Sequence, residues 1–256
     1  MKYISSLLLG IATVFSSISA DQKPSKLKTN SHPSISPQVR LSSWWIARHS
    51  EHMAAIEAAN DPKKNQKIEL LMVGDSITHN FDIGGPGEKV WNKHFAPLNA
   101  LNLGFGGDRT NHVLWRLDHL PSLKTAPKAA SLMIGTNNIC WGSDLPKQAA
   151  DGVRAIAKKL NEMYPDMEIL VLGVFPRRRT IDHPHRKEIL ELNSYLPGLI
   201  KDIPNVTYLD IGQKFLDNKG FLSEEMMPDT THPSEKAHDI WAKAIVPKLK
   251  KMMEVQ

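Results

Sequence analysis

The chain has 256 residues, of which 41% are hydrophobic, and it carries a formal net charge of +5. This length and composition fit one globular domain better than two. The single cysteine, Cys140, excludes an internal disulfide and a zinc motif of paired cysteines. The positive charge is not gathered into a long Lys/Arg block interleaved with aromatic residues, so no nucleic-acid partner is expected.

The first twenty residues have the order of a secretory signal peptide. Lys2 precedes an apolar stretch from Ile4 to Phe15, and small residues follow as far as Ala20, after which we expect cleavage. A membrane anchor is the alternative, but the apolar run is shorter than the ~20 residues that span a bilayer. The sequence therefore predicts a secreted or periplasmic protein without a stable membrane anchor.

Residues 21–41 contain several prolines among serine, lysine and asparagine, which predicts a flexible linker. A single folded domain is expected over residues 42–256. It opens with a helix, because apolar residues from Trp44 to Ala59 recur at roughly helical spacing.

Beyond this helix, short apolar runs alternate with longer amphipathic runs. Strands are predicted near Ile68 to Val73, Ala100 to Leu103, Ser131 to Ile134, Ile169 to Val174 and Val206 to Leu209. Helices are predicted near Gly87 to Phe95, Thr110 to Leu120, Pro146 to Met163, Arg186 to Ile200 and Ser234 to Met253. This alternation indicates right-handed crossovers and an α/β fold with a parallel sheet covered on both faces.

Polar, glycine-containing blocks follow the first three predicted strands, and a fourth block precedes the last helix. The blocks are GDSIT from Gly74, GFGGDRT from Gly104, GTNN from Gly135 and PDTTHP from Pro228. Each alone fits an ordinary turn or helix cap. The second block fails the dinucleotide-binding fingerprint, because Arg109 occupies the third glycine position, and no cofactor is predicted. Ligands bind at the carboxyl ends of parallel strands, so we expect the blocks to meet there.

Together these blocks supply the parts that serine acyl transfer needs. A serine requires a base, the base requires an acid that fixes its tautomer, and the oxyanion requires preorganised donors. Ser76 is the predicted nucleophile, and one loop presents both Asp229 and His232 as acid and base. The predicted oxyanion donors are the backbone amides of Ser76 and Gly107 and the side-chain amide of Asn137.

The order and spacing of the blocks resemble those of the SGNH, or GDSL, hydrolases. The matching residues are Gly74-Asp-Ser-Ile, Gly107 in Gly-Gly-Asp, Asn137 in Gly-Thr-Asn, and Asp229-x-x-His232. The stretch from Leu101 to Leu117 is similar to the type IB platelet-activating-factor acetylhydrolases and their secreted bacterial relatives. The resemblance implies a flavodoxin-like three-layer α/β/α sandwich with a mainly parallel five-stranded sheet, and ester hydrolysis without a metal. It assigns the same roles to Ser76, Gly107, Asn137, Asp229 and His232.

The residues beside the motifs bear on the substrate. Ile77, Thr136 and Thr231 are predicted to line an acyl pocket of limited depth, and Trp141 to stack on a sugar. Members of the similar branch favour short acyl groups, so the prediction is a secreted esterase for short-chain, mainly acetyl, esters on carbohydrate. The alternatives are a lipid-directed esterase or phospholipase, which includes platelet-activating-factor acetylhydrolase activity, and a non-catalytic glycan-binding protein.

The three consecutive arginines, the two nearby histidines and the oligomeric state each allow two interpretations. Arg177, Arg178 and Arg179 could meet an acidic or hydroxyl-rich substrate or form a solvated basic loop. His183 and His185 could suggest a metal, but they lack a nearby carboxylate or cysteine pattern, so no metal is predicted. Helical surfaces that dimerise resemble any amphipathic helix, so both a monomer and a homodimer fit the sequence.

Overall fold

The computed structural model describes residues 32–82, 84–142 and 144–254. The predicted signal peptide and residues 21–31 of the predicted linker lie outside the described residues. Within the described ranges, no helix is both long and apolar enough to cross a bilayer.

The strands form a five-stranded parallel sheet. They are β1 (Leu70–Gly74), β2 (Ala100–Gly104), β3 (Ala129–Met133), β4 (Glu168–Leu172) and β5 (Val206–Leu209). The spatial order is β2-β1-β3-β4-β5, which is the order of flavodoxin-like sheets. The direction of strand addition reverses around β1, so a crevice opens at the carboxyl ends of β1 and β3.

Helices cover both faces of the sheet. They are α1 (Ser43–Asn60), α2 (Ser76–His79), α3 (Glu88–His94), α4 (Thr110–Asp118), α5 (Thr136–Cys140), α6 (Pro146–Met163), α7 (Pro184–Ile200) and α8 (Glu235–Glu254). Short 3-10 helices occur at Pro33–Ile35, Ala96–Leu98 and Gly212–Phe215.

Alternate residues of each strand enter different cores, because successive side chains of a strand point to opposite faces. Leu71 and Val73 of β1 pack with α1, α4, α6 and α7 on one face. Leu70 and Met72 pack with α3 and α8 on the other face. The predicted three-layer α/β/α sandwich is therefore confirmed.

The structure differs from the sequence prediction in two short elements and in some boundaries. α2 and α5, which the sequence indicated as turns, are helices of about one turn. β3 begins at Ala129 rather than Ser131, and α7 begins at Pro184 rather than Arg186. The earlier start of α7 has a local cause, because His183 caps it and Pro184 occupies the first helical turn.

Residues 33–41 do not behave as the flexible linker that their composition predicted. Ser34 is fully buried, and its carbonyl accepts a hydrogen bond from the Thr110 hydroxyl at 2.8 Å. The Gln38 amide donates to the Asn111 carbonyl at 3.1 Å. The polar groups of this segment bond to α4 instead of water, so the packed domain includes residues before Ser42.

Candidate active site

Ser76 is the first residue of α2, at the carboxyl end of β1. Asp75 caps this short helix, because its Oδ1 accepts the Ile77 amide at 3.0 Å. A side chain on Gly74 or Gly104 would collide with α2, at the Thr78 side chain and at the backbone of residues 78–79 respectively. The two glycines therefore let α2 lie directly on the sheet edge and fix the position of the serine hydroxyl.

The structure brings Ser76, His232 and Asp229 together in one chain of hydrogen bonds. The Ser76 Oγ lies 2.8 Å from the His232 Nε2, and the His232 Nδ1 lies 2.5 Å from the Asp229 Oδ2. The other carboxylate oxygen of Asp229 accepts the backbone amides of Thr231 and His232 at 2.9 and 2.7 Å. With the Nδ1 proton directed at Asp229, the Nε2 of His232 is free to accept the serine proton.

Two carboxyl groups near His232 have pKa values that are shifted in opposite directions. Burial opposes ionisation of Asp229, but hydrogen bonds from His232 and Thr231 outweigh it and lower the pKa of Asp229. Burial raises the pKa of Asp75 to about 7, although the Ile77 amide and the His232 charge act in the opposite direction. Asp229 is therefore the carboxylate that stays ionised beside the imidazole.

The predicted oxyanion donors are the backbone amides of Ser76 and Gly107 and the side-chain amide of Asn137. Gly107 has φ of +73°, a left-handed conformation that favours glycine. Neither its amide nor the Ser76 amide donates to an acceptor among the described residues. The Asn137 Nδ2 donates one hydrogen to the Asp108 carbonyl at 2.9 Å, which leaves its second hydrogen available.

A buried charge network that sequence reasoning missed lies under these donors. The fully buried Asp108 accepts hydrogen bonds from the Arg116 Nε and the Trp45 Nε1, both at 2.8 Å, and from the Arg40 Nη1 at 3.2 Å. Burial raises the pKa of Asp108, and the Arg116 charge counteracts that rise. Asp108 directly follows Gly107 and its carbonyl accepts from Asn137, so this network holds two of the predicted oxyanion donors in place. The Gly-Gly-Asp sequence marked the turn but not the ion pair beneath it.

Exposed aromatic rings flank the same donors. A Cβ on Gly107 would lie 3.2 Å from the Trp141 ring and 3.2 Å from the Arg40 guanidinium. Trp141 is 57% exposed and Trp44 is 44% exposed. The Arg40 guanidinium lies 5.4 Å from the centre of the Trp44 ring. Trp141, which the sequence predicted to stack on a sugar, thus lies at the rim, whereas Arg40 and Trp44 were missed because they belong to the predicted linker and an assumed core helix.

Two of the predicted substrate-contacting residues are not at the rim. Ile77 is 1% exposed and packs in the core beside α8, because consecutive residues of a helix point about 100° apart. Thr136 is also 1% exposed, and its hydroxyl accepts a hydrogen bond from the Arg177 Nη1 at 3.2 Å. Thr231 is partly exposed beside His232.

Arg179 ties the loop after β4 to the loop that carries Asp229 and His232. Its guanidinium donates to the carbonyls of Leu222, Met227 and Pro228 at 3.1, 3.0 and 2.9 Å. The segment from Met227 to Pro228 directly precedes Asp229. Arg179 therefore holds the base of the acid-and-histidine loop, which the sequence alone did not reveal.

A second arginine lies beneath the loop after β4. Arg186 is fully buried and donates to the carbonyls of Arg177, at 2.8 Å, and of Arg178. The Arg178 amide in turn donates to the Thr230 carbonyl at 2.9 Å. These contacts connect α7, the loop after β4 and the loop before α8.

The two histidines of this region have structural contacts. The His183 Nδ1 accepts the His185 amide at 3.2 Å and so caps α7. The His185 Nδ1 lies 3.8 Å from the Cys140 sulfur. Across residues 32–82, 84–142 and 144–254, no group of three or more His, Cys, Asp and Glu side chains is arranged to hold a metal.

Comparison with known proteins agrees with this geometry. Residues 72–240 match the GDSL-like lipase/acylhydrolase family. Platelet-activating factor acetylhydrolase IB subunit alpha1 of Rattus norvegicus is 30% identical over 207 residues, which cover 80% of this chain and 82% of that protein.

Solved structures share the fold. A GDSL-like lipase from Bacteroides thetaiotaomicron superposes with a TM-score of 0.64 at 15% identity, over 80% of this chain and 98% of that one. An acetyl xylan esterase from Geobacillus stearothermophilus superposes with a TM-score of 0.54 at 21% identity, over 72% and 95% of the two chains. With the family match covering more than half of the sequence, the chain belongs to the GDSL-like lipase/acylhydrolase family and is a hydrolase that acts on esters.

Proposed function

We propose that this protein is a secreted serine esterase that removes short acyl groups, chiefly acetyl, from carbohydrate. The observation that carries the proposal is the continuous hydrogen-bond chain from Ser76 through His232 to Asp229, together with amides that donate to no acceptor among the described residues. Nucleophilic serine catalysis needs this combination of base, orienting acid and vacant donors.

The proposed reaction has two halves. The His232 Nε2 takes the Ser76 proton as the Oγ attacks the ester carbonyl, and Asp229 stabilises the imidazolium that forms. The tetrahedral intermediate expels the alcohol, which receives the proton from His232. Water then attacks the acyl-serine with His232 as base, and the carboxylic acid leaves while Ser76 regains its proton.

The negative oxygen of both tetrahedral intermediates lies among three donors in this proposal. They are the amides of Ser76 and Gly107 and the second Nδ2 hydrogen of Asn137. Each such donor typically contributes about 3 kcal/mol to transition-state stabilisation, because its dipole is already oriented when charge develops. The bond from Asn137 to the Asp108 carbonyl provides that orientation.

The preference for a short acyl group rests on what surrounds Gly107. The Trp141 ring and the Arg40 guanidinium bound the space next to this glycine on two sides. These two groups limit the space that an acyl chain beside Gly107 can occupy. The name of the acetylhydrolase relatives and that of the acetyl xylan esterase point in the same direction.

Carbohydrate as the alcohol component is supported by the exposed tryptophans. Trp141 and Trp44 are both partly exposed at the rim, and a sugar ring can stack on an exposed aromatic ring. The signal-like N-terminal sequence supports a location outside the cytoplasm, where acetylated polysaccharides are accessible. N-terminal sequencing of the exported protein should then begin at Asp21.

One observation favours a second candidate, a lipid-directed esterase. Leu41 is 84% exposed and lies near Trp44 in sequence, so the rim presents an apolar edge that could contact a lipid surface. The relatives named as platelet-activating factor acetylhydrolases agree with this alternative. Binding to phospholipid vesicles that is lost in Leu41→Ser would favour it.

The decisive experiment measures hydrolysis of p-nitrophenyl acetate, butyrate and octanoate by the wild type and by Ser76→Ala. We expect kcat/KM to fall steeply with chain length and to vanish in the mutant. Equal rates on octanoate would favour the lipid-directed candidate. Turnover that persists in Ser76→Ala would refute the proposed mechanism, and acetylated-glycan binding without any turnover would favour the glycan-binding alternative.

A further inference from the structure

The three consecutive arginines after β4 have different environments. Arg179 is occupied by three backbone carbonyls, and Arg178 makes its contact to Thr230 through the backbone. Arg177 is held in place from below, since its carbonyl accepts the Arg186 Nε at 2.8 Å. Hydrogen bonds therefore hold the backbone of the loop in place at Arg177. A solvated basic loop would lack such bonds.

The Arg177 guanidinium lies beside the oxyanion donors. Its Nη1 donates to the Thr136 hydroxyl at 3.2 Å, and Thr136 directly precedes Asn137. Its Nε is buried and has no hydrogen-bond partner. Among the described residues, no carboxylate lies within salt-bridge distance of Arg177, and the Thr136 hydroxyl is its one hydrogen-bond acceptor.

The carboxylates near Arg177 have other hydrogen-bond partners. Asp229 is bonded to His232, and the buried Asp75 accepts the Ile77 amide. Burial lowers the pKa of Arg177, and the charges around it include those of Asp229 and Asp75, which raise it. An arginine remains protonated at any physiological pH, so Arg177 is a half-buried cation with no carboxylate of the described residues in direct contact.

A partly desolvated guanidinium without a carboxylate partner favours an anionic ligand, which it can bind through two parallel hydrogen bonds. We propose that Arg177 forms an anion-binding subsite of the active site, which holds a carboxylate or phosphate on the alcohol part of the ester. This inference rests on the proposed function and narrows its substrates to acylated acidic sugars. The acyl group lies against Gly107 and Asn137, and the anionic group of the same sugar lies on the Thr136 side.

The test uses three acetylated sugars that differ in charge. They are an acetylated methyl glucuronoside, the corresponding neutral methyl glucoside and an acetylated glucose 6-phosphate. We expect kcat/KM of the wild type to favour at least one anionic sugar over the neutral one by about tenfold or more, which is the usual scale of a charge-assisted hydrogen bond. Preference for the carboxylate or for the phosphate identifies the source of the anion. The preference should shrink as ionic strength rises.

Variants of Arg177 test whether its side chain causes the preference for anionic sugars. Arg177→Gln keeps a polar side chain but removes the charge, so the ratio of anionic to neutral kcat/KM should fall about tenfold, mainly through KM. Arg177→Lys should retain part of the ratio. Lys250→Gln removes the same charge from the exposed face of α8 and should leave the ratio unchanged.

A wild-type ratio near one, or an Arg177→Gln variant that slows both kinds of sugar equally, would overturn the subsite while leaving the esterase intact. If no sugar is hydrolysed, calorimetry with the acetylated glucuronoside decides the matter separately. Binding to Ser76→Ala that is lost in the Ser76→Ala, Arg177→Gln double variant would support the subsite. Absence of binding would overturn it.

Discussion

The two sides of the candidate active site are built in different ways. The oxyanion side, with Gly107 and Asn137, rests on the fully buried pair of Asp108 and Arg116. The base side lies in the loop before α8, where the Asp229 and His232 side chains are 55% and 34% exposed.

The difference follows from what each side does. Oxyanion donors act by being oriented before charge develops, so a rigid buried support is an advantage. The acid and base carry charge during the reaction, and exposure to water lowers the cost of that charge. We therefore expect substitutions on the oxyanion side to reduce both activity and stability, and substitutions on the base side to reduce mainly activity.

The strongest test deletes an aspartate from each side. Asp108→Ala should lower the free energy of unfolding by about 3–5 kcal/mol, because Arg116 remains buried without its carboxylate. Asp229→Ala should lower it by about 1 kcal/mol or less, since this carboxylate is largely exposed, while kcat falls about 10⁴-fold. Urea unfolding and p-nitrophenyl acetate turnover measure the two quantities.

Asp108→Asn serves as the matched control, because it keeps one acceptor oxygen, which can serve either Trp45 or Arg116, but removes the charge. Its stability should lie between that of the wild type and that of Asp108→Ala. Equal losses of unfolding free energy in Asp108→Ala and Asp229→Ala would show that the two sides are not built differently.

The next test removes a donor while leaving the ion pair in place. Asn137→Ala should reduce kcat by about 10²- to 10³-fold with little change in KM, because the donor acts on the transition state and not on the bound ester. Steady-state kinetics on p-nitrophenyl acetate give both values. A variant that turns over at the wild-type rate would remove Asn137 from the oxyanion role.

The sequence predicted the fold and the residues that meet at the base side because each has a local signal. Apolar runs that end in Gly-Asp-Ser and Gly-Thr-Asn mark the carboxyl ends of β1 and β3. The short spacing of Asp229 and His232 predicts one loop. The oxyanion support has no such signal, because Asp108 and Arg116 are charged residues that pattern alone assigns to the surface.

Two other errors have physical causes. α2 and α5 are too short to show helical periodicity, and for that reason Ile77 was predicted to line the acyl pocket beside Ser76. In a helix it points into the core instead. Arg40 was assigned to a linker by the composition around it, although its hydrogen bonds to the Gly106 carbonyl and Asp108 fix it at the site.

The oxyanion side should also respond to acid, because it packs against buried histidines. Burial and the nearby Arg116 charge lower the pKa of His49 from 6.5 to about 4. Between these values the unfolded chain binds more protons than the folded chain, so stability is fully present above pH 6.5 and falls as the pH drops toward 4.

From pH 7.5 to pH 5 this histidine should account for about 2 kcal/mol of lost unfolding free energy. His49→Phe keeps a ring against Trp45 and Trp115 and should remove that part of the pH dependence. Urea unfolding at both pH values measures it. An unchanged slope of stability against pH would contradict the role of His49.

On the base side, the smallest expected effect comes from Arg179, whose three hydrogen bonds hold the segment before Asp229. Arg179→Gln should lower kcat about tenfold and leave KM for p-nitrophenyl acetate within about twofold, because a looser loop aligns His232 with Ser76 less often. Arg179→Lys should recover only part of kcat, since an ammonium lacks the planar fork that reaches several carbonyls at once. Arg178→Gln is the control, because Arg178 contacts the loop through its backbone amide. Equal losses in the Arg178 and Arg179 variants would indicate a general effect of charge. A loss confined to Arg179 and to kcat would mean that backbone hydrogen bonds order the exposed base side, as a buried ion pair orders the oxyanion side.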